Sequence, residues 1–279
     1  MHRGSLLCVL LTVLVMVASF PLPAETTVPL NQGTEPQQTD ASSINPGASA
    51  AASASPAELE AQGDVMRLKK SYLDAIDYYR AALHAKPHDA HIYNKVGIAE
   101  LLSQRFREST KYFQRSIAND RRFADPYNNL GVIDYALKKY GRAIKSYKKA
   151  IALEPYCASF YSNLGAAYFS EKQFENATGS YAEALRLDPA IFEHSSHAGV
   201  TAQLSSPQDR AHYDYVLARL YAKMGVTDRS LEYLRRALEE GYKGVDNAYK
   251  DPEFATLRRD VRFTQLMSAR PPAISEVTN

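Results

Sequence analysis

The chain has 279 residues, of which 45% are apolar and 23% charged, and its formal net charge is +2. This composition is ordinary for a soluble globular or repeat protein and allows one or two domains. No run of five or more like charges occurs, so no general electrostatic affinity for nucleic acid or anionic lipid is expected. We therefore expect a protein or peptide partner that is recognised by shape and local chemistry, and no nucleic-acid partner.

The first 24 residues contain an apolar run from Leu6 to Phe20, which is followed by the letters PLPA and then by polar sequence. The run is shorter than the ~20 residues that cross a bilayer as a helix. This pattern predicts a signal peptide over 1–24 that is cleaved near Ala24, a mature chain without a membrane span, and a periplasmic or secreted location. A retained N-terminal membrane anchor remains open as the alternative.

Residues 25–55 consist mainly of Ala, Ser, Thr, Pro, Gln and Gly, and they include no Lys or Arg. A segment with so few large apolar side chains does not bury enough surface to offset the entropy of ordering. We predict a disordered linker that tethers the folded part of the chain.

A five-residue pattern then returns at a fixed spacing of 34 residues. The letters YNKVG, YNNLG and YSNLG occupy 93–97, 127–131 and 161–165. The spacing defines four in-phase units, which are 56–89, 90–123, 124–157 and 158–191.

Each unit has the pattern of two helices joined by a turn, and the fourth shows it best. Tyr161, Leu164 and Gly165 share one face of its first helix, and Tyr181 and Ala184 share one face of its second. The small residues let two helices approach closely, the aromatic rings fill the space beside them, and a proline ends the second helix.

This combination of aromatic-x2-Leu-Gly, Ala-x3-aromatic and a closing Pro in a 34-residue period resembles the tetratricopeptide repeat. The resemblance implies an all-α fold, namely a right-handed α-solenoid of helix-turn-helix units with a C-terminal helical cap. Together with the predicted signal peptide, it suggests an exported bacterial member of that family. The second unit departs from the pattern because Ser109 and Ser116 stand where alanines are typical, but serine is small enough to keep the helix pair.

The periodicity shifts after the fourth unit. Residues 192–210 form an insertion, and a fifth unit is predicted over 211–244, with Leu217, Ala218 and Leu234 at the matching positions. We predict a helical cap over 245–268, because a terminal unit must cover the last apolar face of a solenoid. Residues 269–279 are predicted to be a disordered tail.

No recognised catalytic pattern occurs: the chain contains no Gly-rich phosphate loop and no Gly-x-Ser-x-Gly. His84, His88 and His91 lie close in sequence, but Pro87 and a turn divide them, so a shared metal site is not favoured. We therefore predict that the protein is not an enzyme and that it uses no cofactor and no metal.

The resemblance also implies a site, because the first helix of each tetratricopeptide unit lines a concave groove. The side chains predicted to line it are Asn94, Ile98, Leu102, Asn128, Asn129, Val132, Tyr135, Asn163 and Phe169. An apolar floor with amides along one side suits an extended peptide or a helix. For Asn129 and Asn163, a purely local stabilising role is an equally good interpretation.

Two further expectations concern that groove. The family's best-known peptide mode grips a C-terminal carboxylate with cations and amides, and Glu60 and Asp64 in the first unit disfavour it. Replacing Asn128 and Tyr135 by alanine is expected to weaken binding while leaving thermal stability nearly unchanged.

The sequence therefore predicts a non-catalytic scaffold or adaptor that binds a peptide or helix in its concave groove. The alternative is a permanent structural component of a cell-envelope assembly or secretion complex, which would use large apolar interfaces. The sequence does not assign an oligomeric state.

Overall fold

A computed structural model describes residues 54–194 and 206–269. The predicted signal peptide, nearly all of the predicted linker, residues 195–205 of the insertion and residues 270–279 lie outside these described residues. The described helices are α1 (Pro56–Leu68), α2 (Tyr72–Ala85), α3 (Ala90–Leu102), α4 (Phe106–Asn119), α5 (Asp125–Ala136), α6 (Tyr140–Leu153), α7 (Ala158–Ser170), α8 (Phe174–Leu187), α9 (Ile191–His194), α10 (Pro207–Lys223), α11 (Thr227–Glu239) and α12 (Val261–Ala269). No helix in the described ranges is both long and apolar enough to cross a membrane.

Consecutive helices pack in pairs, and each pair packs on the next. The pairs are α1 with α2, α3 with α4, α5 with α6, α7 with α8, and α10 with α11. The second helix of one pair also contacts the first helix of the following pair through most of the array. The described chain is therefore the predicted all-α solenoid of helix-turn-helix units.

Close packing within each of the first four pairs depends on a glycine that faces an aromatic ring. These contacts are Gly63 on Tyr79, Gly97 on Phe113, Gly131 on Tyr147 and Gly165 on Tyr181. A Cβ atom at any of these glycines would lie 2.4–2.6 Å from a ring carbon, which is far inside van der Waals contact. The fifth pair has Ala218 in place of the glycine and Leu234 in place of the aromatic residue. The side chain that faces Ala218 is therefore smaller than a ring, which leaves room for the alanine Cβ.

The turn inside each unit contains one residue in the left-handed backbone region. The φ angles are 63° at Lys70, 59° at Gln104, 58° at Lys138, 62° at Lys172 and 75° at Gly225. The amide that follows bonds back across the helix end, as Lys139 N donates to Asp134 O at 2.8 Å. This geometry ends the first helix and starts the second within a few residues.

The two serines of the second unit keep the helix pair, as the sequence predicts, and they add hydrogen bonds. Ser109 Oγ donates to Gly97 O at 2.7 Å, and Ser116 Oγ donates to Ala90 O at 2.7 Å. Ser230 repeats the first of these contacts in the fifth unit, where its Oγ donates to Ala218 O at 2.8 Å.

The C-terminal part completes the array. Helix α10 begins at Pro207, four residues before the predicted start of the fifth unit, because Ser206 Oγ accepts a hydrogen bond from Asp209 N and caps the helix. Three short 3₁₀ turns (Val245–Tyr249, Pro252–Phe254 and Leu257–Arg259) and α12 follow. Their apolar side chains, including Phe254, join the core that covers the last helix pair.

Candidate peptide-binding groove

The nine predicted groove residues lie on the first helices α3, α5 and α7. Three of them, Leu102, Val132 and Asn163, are half-buried. The other six are buried, namely Asn94, Ile98, Asn128, Asn129, Tyr135 and Phe169. The groove surface that a partner can touch is therefore narrower than the sequence pattern indicates.

The four asparagines form one chain of hydrogen bonds across three units. Asn163 Nδ2 donates to Asn128 Oδ1 at 2.9 Å, Asn128 Nδ2 donates to Asn129 Oδ1 at 3.2 Å, and Asn129 Nδ2 donates to Asn94 Oδ1 at 3.0 Å. We call Asn94, Asn128, Asn129 and Asn163 the amide ladder. Because the amides bind one another, the ladder supports the local stabilising interpretation and holds neighbouring first helices in register.

Tyr135 also has a structural role. Its hydroxyl lies 3.0 Å from Ser170 Oγ, and its ring centroid lies 5.2 Å from that of Tyr140. Both Tyr135 and Asn128 are buried and hydrogen-bonded, so the structure predicts that their replacement lowers stability, whereas the sequence led us to expect almost no change. The sequence does not show this, because the bonding partners lie on other elements.

Phe169 is fully buried, with 0% of its surface exposed. Its ring contacts Phe174 within its own unit and His212 and Tyr213 of the fifth unit, at centroid distances of 5.1, 5.4 and 5.9 Å. In this structure Phe169 supports the groove wall from behind and has no surface to offer a partner.

One end of the groove carries a charged cluster. Lys95 Nζ lies 2.7 Å from Glu60 Oε1 and 2.6 Å from Asp64 Oδ2, and Tyr79 Oη donates to Asp64 Oδ1 at 2.8 Å. Burial lowers the pKa of Lys95, but hydrogen bonds to Asp64 and Glu60 outweigh burial, so the pKa of the ammonium is raised. Arg67 also interacts with the Tyr79 hydroxyl, so two carboxylates, one ammonium and one guanidinium meet at this end and their formal charges balance.

The other end is closed by the cap. Tyr215 and Arg219 occupy groove-facing positions of α10 that match Asn128 and Val132 in α5. Tyr215 Oη donates to Asp251 Oδ2 at 2.7 Å, and Arg219 Nη2 donates to Glu253 Oε1 at 2.6 Å. The accessible groove therefore runs along the first four units.

The histidines near the second unit have separate neighbours. His88 Nδ1 lies 3.3 Å from Asn119 Oδ1, and the ring of His91 lies 4.3 Å from that of Phe123. Within residues 54–194 and 206–269, no group of three His, Cys, Asp or Glu side chains is placed to hold a metal ion.

Taken together, the helix pairs and the groove along their first helices define the class of α-solenoid interaction proteins. Comparison with models of known families identifies which repeat these helix pairs form. Models of the tetratricopeptide repeat match residues 66–129, 158–191 and 215–249, and a model described as a TPR repeat matches residues 132–170. The chain is therefore a tetratricopeptide-repeat protein, and repeats of this class serve as protein-interaction modules.

The chain is similar to several solved structures. A structure of PilF from Pseudomonas aeruginosa shares 17% identity and covers 80% of this chain and 99% of its own, with a TM-score of 0.51. A tetratricopeptide protein of Thermus thermophilus shares 20% identity and covers 76% of this chain and 99% of its own, with a TM-score of 0.48. YrrB, described as having an unusual peptide-binding site, shares 17% identity and covers 69% of this chain and 91% of its own, with a TM-score of 0.44. No curated protein matches the sequence.

Proposed function

We propose that this protein is a non-catalytic adaptor that binds an extended peptide or helix of a partner protein along α3, α5 and α7. The observation that carries the proposal is the amide ladder with half-buried apolar side chains beside it. The ladder fixes the relative positions of three first helices, so the groove is pre-organised before a partner arrives.

The accessible groove residues favour a partner of mixed chemistry. Leu102 and Val132 offer apolar surface in the middle of the groove. At the N-terminal end, the partly exposed carboxylates of Glu60 and Asp64 offer hydrogen-bond acceptors beside Lys95. A segment with apolar side chains and a Lys or Arg near one end fits both features.

The proposed place of action is outside the cytoplasm, either in the periplasm or in the secreted fraction. Its support is the apolar run from Leu6 to Phe20 followed by PLPA, together with the linker-like composition of residues 25–55. A tethered adaptor of this kind would present its groove to other exported or envelope proteins.

The proposal is tested by selecting peptides from a random display library against the full chain. Their affinities are then measured by calorimetry for the wild type and for the variant Leu102→Gln/Val132→Thr, which changes the groove surface with little change in side-chain volume. A matched control, Ala118→Thr/Lys145→Gln, places the same new residue types at exposed positions of α4 and α6.

We expect enriched peptides to contain apolar residues and a Lys or Arg, and the groove variant to bind them at least about tenfold more weakly, or ~1.4 kcal/mol. The control should bind like the wild type, and thermal melts should show that all three proteins are folded. Failure to enrich any peptide, or equal affinity in the groove variant and the control, would contradict groove binding.

A further inference from the structure

Large exposed apolar side chains are concentrated where the two helices of a unit meet. Five of the nine such side chains in the described ranges lie at these turns, namely Leu68, Leu73, Leu137, Met224 and Val226. In the first three units, Leu68 is 74% exposed, Leu73 is 61% exposed and Leu137 is 43% exposed. We call residues 67–74, 103–108 and 137–142 the turn edge. Single exposed leucines are ordinary, but their concentration at the turns within units, although not at one repeat position, calls for a physical cause.

The turn edge is also basic. Lys69 and Lys70 adjoin Leu68, and Lys138 and Lys139 adjoin Leu137. All four lysines are exposed, and within the described ranges none of them forms an ion pair. Cations at a helix C-terminus interact favourably with the helix dipole, but paired charges of one sign also repel one another and remain available to an anionic partner.

The second unit joins the two ends of this surface. Arg105 and Arg107 are exposed in its turn, where Glu108 is engaged by Lys111 at 2.8 Å. An open cleft between the first two turns is lined by Lys70, Ser71, Tyr72, Leu73, Asp74, Ser103 and Arg105. The turns of the first two units are therefore adjacent, and the period places residues 137–142 at the equivalent turn of the third unit.

The opposite edge of the solenoid, where one unit passes to the next, has a different charge pattern. There Lys86, Arg121 and Arg122 alternate with acidic residues. The acidic residues of that edge include Asp89, Asp120, Glu154 and Asp188. The excess of positive charge with exposed leucines is thus a property of the turn edge and not of both edges.

We propose that the turn edge of the first three units binds the surface of an anionic lipid bilayer. Lysines contact the headgroup phosphates, while Leu68, Leu73 and Leu137 enter the boundary between headgroups and acyl chains. Lysine and leucine side chains together match this layered surface, because the long lysine stems keep the ammonium groups in the polar layer.

Two other anionic partners fit less well. A nucleic acid would use the lysines but would leave three exposed leucines without a role. A folded acidic protein would require a contiguous apolar patch, whereas Leu68 and Leu73 are separated from Leu137 by lysines and by about two repeats. A fluid membrane surface accepts each leucine independently.

The proposed contact is compatible with an open groove. The turn edge is made of helix ends, so the bilayer would meet the ends of α1 to α6 and leave the groove-facing sides of α3 and α5 accessible. Membrane binding and partner binding then take place on different surfaces of one solenoid. This inference does not depend on the proposed peptide-binding function.

The test is sedimentation of the full chain with vesicles of phosphatidylcholine alone or of phosphatidylcholine with phosphatidylglycerol. The charge variant replaces Lys69, Lys70, Lys138 and Lys139 by Gln, the residue that Gln104 already places at a matching turn position. The apolar variant is Leu68→Gln/Leu73→Gln/Leu137→Gln. A control with the same change in net charge replaces Lys86, Arg121, Arg122 and Lys145 by Gln.

We expect the wild type and the control to bind vesicles that contain phosphatidylglycerol and to bind phosphatidylcholine alone much more weakly. The charge variant should lose ~100-fold or more in partitioning, since each basic residue near the surface contributes about fivefold. The apolar variant should lose about tenfold. Circular dichroism melts check that each variant is folded.

Equal binding by the wild type and the charge variant would overturn the proposal. So would an equal loss in the control, because the effect would then follow net charge and not the turn edge. If the charge variant loses binding and the apolar variant does not, the leucines do not enter the bilayer and the proposed mode of membrane binding is refuted.

Discussion

The contact between Gly131 and Tyr147 predicts a specific penalty for the substitution Gly131→Ala. The new Cβ would lie 2.6 Å from Tyr147 Cε1, and Tyr147 is 2% exposed and enclosed by the core. The ring or α5 must therefore move by roughly 1 Å, and such overpacking costs about 1–3 kcal/mol. Alanine's higher helix propensity offsets up to about 1 kcal/mol of this.

The expected net loss is ~1–2 kcal/mol of unfolding free energy, which corresponds to a fall of about 2–8 °C in the thermal midpoint. Differential scanning calorimetry measures it. Gly179→Ala is the matched control, because a Cβ at Gly179 meets nothing within 4 Å, and it should be neutral or stabilising.

A second substitution tests the reason for the loss. The fifth unit pairs Ala218 with Leu234. Tyr147→Leu should therefore lower the free energy of unfolding less in the Gly131→Ala variant than in the wild type. A double-mutant cycle should therefore show a favourable coupling of ~1 kcal/mol or more. If Gly131→Ala is as stable as the wild type, or if the two changes are simply additive, the packing argument is refuted.

Four further predictions concern single features of the structure. Lys138→Gly should raise unfolding free energy by ~0.5–1 kcal/mol in a urea titration, because φ at Lys138 is 58° and glycine adopts this conformation without strain; an unchanged or lower midpoint would contradict it. Asn128→Ala should lower the free energy of unfolding by ~1–3 kcal/mol, since the substitution removes two hydrogen bonds of the amide ladder. A neutral effect would show that the ladder adds no stability. Burial, and then the nearby Glu240, raise the pKa of Asp214 from 3.8 to about 7, so the stability gained from protonation is complete below pH 3.8 and is lost as pH rises through about 7. Asp214→Asn should therefore be more stable than the wild type above pH 7, by ~1–3 kcal/mol, with the difference shrinking toward acid in a series of thermal melts; a constant difference would argue against the shift. Glu60→Gln should weaken binding of selected basic peptides severalfold at low salt and less at high salt, because Glu60 offers a partly exposed carboxylate at this end of the groove, and a salt-independent loss would point to a change of shape instead.

The repeat could be derived from the sequence because its packing residues are large, periodic and local. Gly131, Tyr147 and their equivalents recur at 34 residues, and this spacing alone places them on facing helices. The serines of the second unit were expected to fit, but their hydrogen bonds to carbonyls such as Gly97 O depend on the distance between two helices. That distance is set by packing and is not encoded in the local pattern.

The groove could be derived only in part. The period places Asn94, Asn128 and Asn163 on first helices, but it does not show that amides of neighbouring units would bond to one another. Phe169 occupies a groove position by sequence, yet the fifth unit buries it after an insertion that interrupts the period. Contacts between units are long-range, so sequence spacing within a unit does not predict them.

The turn edge illustrates a third limit. Counting runs of like charge along the chain finds pairs such as Lys69–Lys70 and Lys138–Lys139 and nothing longer. The solenoid stacks equivalent positions of neighbouring units, so Lys70 and Arg105 line one cleft between the first two turns, and Lys138 and Lys139 occupy the equivalent turn of the third unit. A surface property can thus arise from the period, although no local segment contains it.

Hydrogen–deuterium exchange of the full chain, with and without a selected peptide, tests the proposed groove most directly. We predict that the peptide protects amides of the first helices α3, α5 and α7, with the largest change around Leu102 and Val132, and leaves the exposed faces of α4 and α6 unchanged. Protection confined to α4, α6 or the turn edge would contradict binding in the groove.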